Sequence, residues 1–537
     1  MTTSETLLHT IFHQVLGDLS VKYDVNDFVS SASITLSNVH YSKIVAVVTY
    51  NDFVHRTETL SVSPNTPITF SFNISFSPFH NYLNLILLDS SSFVNNGYPI
   101  IGTYQFDLSS VFQKGSSTFP AQSLVPSPMN PPTSYELTEQ VALSVTCKPI
   151  ETDLPSFSEL NQASITAERN LKTALTSFFQ NYRALCPSYR TRFHDSMVTS
   201  EFSNCLLLNR FFPKISFNNH VLPTPQHCAR FVSLIPTRPF DVDCPGQSKC
   251  RMILTPSTVL SVGYGDVIDK CILLCNLLLN FHLRAFVAVG QSNSGFLAYV
   301  LTFETSSDQN PIVWDVISGR RTTPKKMTSS FTVDLLFNHS KILLNIQQNN
   351  SISETIFAFL NPQLWLSFNS ETIKNYLSAF PNQNSINLRQ KFSPLEVSNI
   401  EISITNLVCS ALKDYRLISN RSTLFINDYD NVLKQALFAY EHERIFGVSV
   451  GNDLFSQSIQ NLVPTNQSFK AVPVPLKYFQ CDENSGNLVL SLVNSSSAGK
   501  QLIELTQETR FSVVVSFFPY LENFGSIWVI IGAIFDG

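Results

Sequence analysis

Thiols, imidazoles and carboxylates are the side chains that could do chemistry in this chain, and they are thinly spread among ten cysteines, eleven histidines and forty acids. Cys271 and Cys275 stand one helical turn apart and Cys244 and Cys250 share one stretch, so the four could be counted as zinc ligands. No C-x-x-C and no paired Cys/His spacing of a structural zinc site occurs, however. The cysteines therefore read as small reduced hydrophobes, and neither a metal nor a cofactor is expected. A catalytic thiol needs a cationic or helix-terminal setting that favours thiolate. Cys271 is the sharpest candidate, but the run around it is apolar, and neither His282 nor His339 has a thiol at the spacing a cysteine–histidine pair requires. Both histidines read as packed or capping residues. Tyr440, Glu441, His442, Glu443 and Arg444 crowd polar groups onto one turn, yet the second histidine of a zincin motif is missing, so a salt-bridged helix face is expected. Asp315, next to Trp314, reads as an acid capping a turn at a strand end.

Elements must position these residues, and 537 residues exceed one ordinary core, so two to four domains are expected. Hydrophobic residues make up 44% and charged ones 14%, which indicates a folded chain rather than a disordered or coiled-coil one. With a net charge of −5 and no basic run, no nucleic-acid partner is expected. The start, MTTSETLLHT, lacks a basic n-region, so the chain is expected in the cytosol. The apolar run SIWVIIGAIF is too short to span a bilayer and reads as a buried strand; no transmembrane segment is expected.

Residues 1–150 read as a β-sandwich. Ile68, Phe70, Phe72, Ile74 and Phe76 alternate with polar residues, as do Val141, Leu143, Val145 and Cys147, and KIVAVVTY, YLNLILLD and YPIIGTYQF add further strands. Prolines 120, 126, 128, 131 and 132 predict a long surface loop. The size resembles a C2 domain, which would imply calcium and lipid. The acids are scattered, with only Asp24/Asp27 and Glu136/Glu139 close together, so calcium-dependent membrane binding is not expected.

In residues 151–339 a helical linker around Gln162–Tyr182 precedes a helix capped by Thr224-Pro225, a buried helix over residues 266–281, and strands from Arg284, Phe296 and Pro311. Residues 340–537 alternate helices near 395–415, 429–446 and 453–462 with two apolar strands, an α+β domain. The order of buried helix then strands, with Gly-Asp at the helix start, resembles a transglutaminase-like or papain-like core, itself α+β.

The resemblance extends to one family, that of the centrosomal protein of 76 kDa. Its motif GDCEDHANLLCSLLLGFGL resembles GDVIDKCILLCNLLLNFHL from Gly265, its GVPHAWV resembles GFLAYV from Gly295, and its WESLTG resembles WDVISG from Trp314. VLPTPQHCARFVSLI from Val221, LFNH from Leu336 and ALFAYEHER from Ala436 are similar to its other phrases. Carried over, the family's Cys, His and acid positions fall on Val267, Leu297 and Asp315. Valine offers no nucleophile and leucine no base, so the resemblance implies a degenerate domain without catalysis. It also implies centriolar or basal-body protein partners, a place in the cytoskeleton at the centrosome, centriole or flagellar basal body, and a role in controlling centriole duplication or assembling the cilium. The alternatives are an axonemal subunit like those of the dynein regulatory complex and a working cysteine peptidase or transglutaminase.

Overall fold

Strands with one buried face and strands with two differ in their apolar pattern, and both kinds build the N-terminal unit. The computed structural model describes residues 29–536 except 38, 40, 51–52, 64–65, 76–81, 92–97, 109–115, 124, 127–139, 147–156, 203, 219, 238–251, 294, 304–309, 328–329, 379–384, 449–451, 479–480 and 506–508. Its first ten strands are β1 (Val29–Ser37), β2 (Lys43–Tyr50), β3 (Phe53–Arg56), β4 (Leu60–Ser61), β5 (Ile68–Ser75), β6 (Tyr82–Asp89), β7 (Ile100–Asp107), β8 (Ser116–Ser123), β9 (Val125–Pro126) and β10 (Gln140–Thr146). The alternating strands form a four-stranded sheet, β5-β1-β10-β8, whose apolar phase (Ile34, Leu36, Phe72, Leu143) faces the sandwich core. β2 and β6 are mostly apolar, buried at every residue but their first, and lie inside the other sheet, β3-β2-β6-β7-β9. One phase of theirs, including Ala46, Val48, Leu85 and Leu87, fills the sandwich. The other, Val45, Val47, Ile86 and Leu88, joins the main core of the molecule. The loop expected from the prolines is partly strand, since Pro120 lies in β8 and Pro126 in β9 at sheet edges that tolerate a missing N–H. Cys147, Asp24, Asp27, Glu136, Glu139 and the remaining prolines of that run lie outside the described residues.

The middle unit contains α1 (Phe157–Leu185), α2 (Pro225–Leu234), α3 (Pro256–Val262) and α4 (Val267–Leu279). Apart from short strands between residues 197 and 253, its strands are β11 (Arg284–Ser292), β12 (Gly295–Phe303), β13 (Ile312–Trp314), β14 (Arg321–Thr322), β15 (Leu335–Phe337), β16 (Ile342–Asn345) and β17 (Trp365–Ser367). They form one sheet, β14-β13-β12-β11-β15-β16-β17, with α4 packed on β11 and β12. A boundary at residue 339 would cut this sheet, because β16 and β17 continue it; the short apolar runs ILLN and WLS carry too little pattern to announce themselves. α1 is more than a linker. Leu171, Leu175, Phe178 and Tyr182 recur at helical spacing and are buried in the main core.

The last unit contains α5 (Ser370–Ser378), α6 (Pro394–Ile418), β18 (Leu424–Phe425), α7 (Asp430–Phe446), α8 (Asn452–Leu462), β19 (Gln467–Lys477), α9 (Ser485–Asn494), α10 (Ser497–Ile503), β20 (Arg510–Pro519) and β21 (Gly525–Asp536). Its sheet runs β18-β20-β21-β19 between helices. In β21, Ile527, Val529, Ile531 and Ala533 pack with residues of α6, α9 and α10, while Trp528, Ile530 and Ile534 pack with residues of α7. That double burial explains the unbroken apolar run. Among the described residues no helix is long and apolar enough to cross a membrane.

Candidate functional site

Helix α4 begins where its sequence says it should. The Asp266 carboxylate accepts from Val267 N at 2.6 Å, and Asp269 answers by accepting from Asp266 N at 2.8 Å, so two carboxylates serve the positive end of the helix. Asp269 also accepts from Leu254 N at 3.0 Å and is fully buried. Burial first, and then the Asp266 charge, push its carboxyl well above the usual range. Nearby, buried Glu201 accepts from Thr255 N at 3.1 Å and from the hydroxyls of Thr255 and Thr258 at the start of α3. The acids beneath this site are thus committed to helix starts and loop amides.

Val267 is the first residue of α4 and is half-buried against the main core. Leu297 does not face it. In β12, Ala298 and Val300 point toward α4, with Phe296 packed on the same core, while Leu297 and Tyr299 pack on a separate aromatic cluster with Phe286, Phe331 and Trp365. A strand's period of two separates them: a shift of one residue moves a side chain to the other face. GFLAYV is one residue shorter than GVPHAWV, so that match leaves the phase open. The helix-facing residues of β12 carry no titratable group.

Asp315 follows β13 and organises the turn after it. Its carboxylate accepts from Ile317 N at 2.9 Å and from Ser318 Oγ at 2.6 Å. The turn closes at Gly319, where a φ of +74° and the nearness of Ser233 and the Ala229 carbonyl would strain any side chain. The charge of Asp315 reaches Cys271 and Lys270 on α4. Cys271 is fully buried, and burial, followed by the Asp315 charge, raises its thiol well above the ordinary range. His282 lies in the turn after α4 with its backbone in the left-handed region (φ +57°), exposed, and His339 is exposed beside Asn338, which makes the structural bonds of the LFNH turn. Cys244 and Cys250 lie outside the described residues; among the described residues no three metal-binding side chains converge.

Sequence reasoning missed the polar groups that join α4 to the last unit. Lys270 is fully buried and donates from Nζ to the Ile235 carbonyl at 2.8 Å and Thr237 Oγ1 at 2.9 Å. Lys477 of β19 donates to the Ser233 carbonyl at 2.7 Å, so two ammonium groups meet the C-terminal carbonyls of α2. Burial, with mutual repulsion, lowers Lys270 to about 7; burial and Arg230 lower Lys477 to about 8. Arg230, also on α2, pairs with Glu441 of α7 through two bonds of 2.9 Å. Glu441 further accepts from Tyr520 (2.8 Å), Ser526 (2.8 Å) and Trp528 (2.7 Å). Burial opposes both charges, but pairing wins, leaving Arg230 above and Glu441 below their ordinary values. Glu441 is therefore not part of an exposed salt-bridged face. The signal was present in its spacing, since Leu433, Leu437 and Glu441 fall on one buried stripe of α7.

Comparison with known proteins gives two family matches: the CEP76 peptidase-like domain over residues 251–368, and the C-terminal domain of the centrosomal protein of 76 kDa over residues 393–536. The centrosomal protein of 76 kDa from Mus musculus is 26% identical over 430 residues, covering 75% of this chain and 60% of the relative. The Homo sapiens protein of that name is 27% identical over 333 residues, covering 58% and 48%. The chain thus spans about half to three-fifths of these relatives' length. Human protein CC2D2B is 25% identical over 412 residues, covering 73% and 26%. Among solved structures, a C2 domain-containing protein from a putative elicitor-responsive gene aligns with 24% of this chain and 93% of its own length, at 16% identity and a TM-score of 0.17.

Proposed function

Because the chain belongs to the family of the centrosomal protein of 76 kDa, we propose that it is a non-catalytic scaffold or regulator of centrioles and basal bodies. It acts through protein–protein contacts in the control of centriole duplication or in cilium or flagellum assembly. The observation that carries this reading is the pair of successive stretches, 251–368 and 393–536, that match the two domains described for that family. The absence of catalysis is supported by Val267 at the start of α4 and by the sealed, high-pKa thiol of Cys271 one turn deeper. A hydrolytic or acyl-transfer reaction at such a helix start needs both a nucleophile and a base, and loss of either removes most of the acceleration.

Imaging a tagged copy against a basal-body marker tests the location: coincident foci are expected, whereas uniform axonemal labelling would support the dynein-regulatory alternative. A thiol-directed peptidase probe on the native protein tests the chemistry. No labelling is expected; modification of Cys271 would restore the peptidase or transglutaminase reading. The N-terminal sandwich is read as a C2-like fold that has no calcium role, and calorimetric titration of the full chain should give no heat at micromolar calcium.

A further inference from the structure

We propose that β5 is an open pairing edge that joins two copies of this chain around a two-fold axis. A free strand edge presents unpaired N–H and C=O groups, and folded proteins ordinarily blunt such edges with short strands, charges, prolines or bulges. The other edges of the four main sheets carry such a device. β3 has four residues including Arg56, and β9 has two including Pro126. β8 carries Pro120 and a register shift against β10. β14 and β18 have two residues and β17 three. β19 is eleven residues long, but Pro473 and Pro475 remove two of its donors.

β5 is eight residues long with no charge and no proline; it pairs with β1 along one side. The other side makes no backbone pairing among the described residues.

The sequence of β5 points to a second copy as the occupant. Set antiparallel to itself about Ser71, it places Ile68 opposite Ile74, Thr69 opposite Asn73 and Phe70 opposite Phe72. Apolar residues meet apolar ones and polar meet polar, with no like charges opposed, as an isologous contact requires. The outward face continues smoothly across the axis. Ser31, Ser33 and Thr35 of β1 lie beside Asn73, Ser71 and Thr69, and the hydroxyls of Thr35 and Thr69 are 2.9 Å apart. Across the axis, β1 and β5 of the two copies would present one uncharged, hydroxyl-bearing surface four strands wide. This inference is independent of the centriolar reading.

Sedimentation equilibrium of the full chain tests it, at roughly 100 μM, where an association with a Kd of ~10 μM is mostly dimer. The expected mass is twice 60.2 kDa. Ser71→Lys and Ser71→Glu each set like charges against each other on the axis and should give monomers with unchanged circular dichroism. An equimolar mixture of the two should recover the dimer, which a misfolded variant could not do. A monomeric wild type, a single variant that stays dimeric, or a mixture that stays monomeric would each overturn the proposal.

Discussion

His282 occupies a backbone conformation that favours glycine, in the turn after a helix whose family motif has glycine at that point. Its φ of +57° costs a side-chain-bearing residue about 1 kcal/mol. His282→Gly should therefore raise stability by about 0.5–1 kcal/mol, measured by urea denaturation, since the exposed imidazole has little packing to lose. An unchanged or lower midpoint would show that the ring contributes more than its exposure implies. Lys270 gives a pH-dependent prediction. Its folded pKa is about 7, against ~10.4 for an unperturbed lysine, so the unfolded chain binds more protons between those values. Stability should rise with pH across that window, and Lys477, lowered to about 8, adds to the same slope. Below pH 7 both states hold the proton and the contribution is at its least favourable. Lys270→Met should flatten the slope between pH 7 and 9; a variant as pH-sensitive as the wild type would refute the assignment.

The contact between α2 and α7 is the element whose loss should matter most. Glu441→Gln leaves Arg230 charged in a buried setting, a change that costs about 3–5 kcal/mol when a buried pair is broken. The double change Arg230→Met with Glu441→Leu should recover only part of this, because Tyr520, Ser526 and Trp528 keep donors without an acceptor. Chemical denaturation of the two variants checks the order; equal losses in the single and the double variant would contradict it. Since pairing holds the Glu441 carboxyl low, its contribution is present above the ordinary glutamate pKa and disappears as pH falls through the lowered value. How far sequence reaches is visible here. α4 could be read because its cap, Asp266, and its apolar run are local, and the Asp315 turn because donors and acceptor lie within three residues. The face of Leu297 could not, since one residue of offset in a short phrase reverses a strand. Neither could the partner of Glu441, which stands 211 residues away on a helix with no charge pattern of its own.

At the scale of the whole molecule, three units share one core. Val45, Val47, Ile86 and Leu88 of the sandwich, the α4 interior, and Tyr520, Leu521 and Phe524 of the last unit belong to a single cluster. Arg56 adds a bond to the Ser261 carbonyl at 3.2 Å, and Thr103 one to the Glu201 carbonyl at 2.7 Å. Cleavage at a protease site engineered after Ile150 should therefore leave the two fragments together on gel filtration, and separation would show that the shared apolar face contributes little. The long reach of the Arg230–Glu441 pair also has a consequence during synthesis. At about 5–20 residues per second, roughly 10–40 s pass between the ribosome making the arginine and making its partner. Throughout that interval the nascent chain carries a guanidinium that its own helix would bury without a counter-ion. Chains that stop before Glu441 keep that defect permanently, so in cells they should be turned over faster than the full-length product, as pulse-chase labelling of truncations on either side of residue 441 would register.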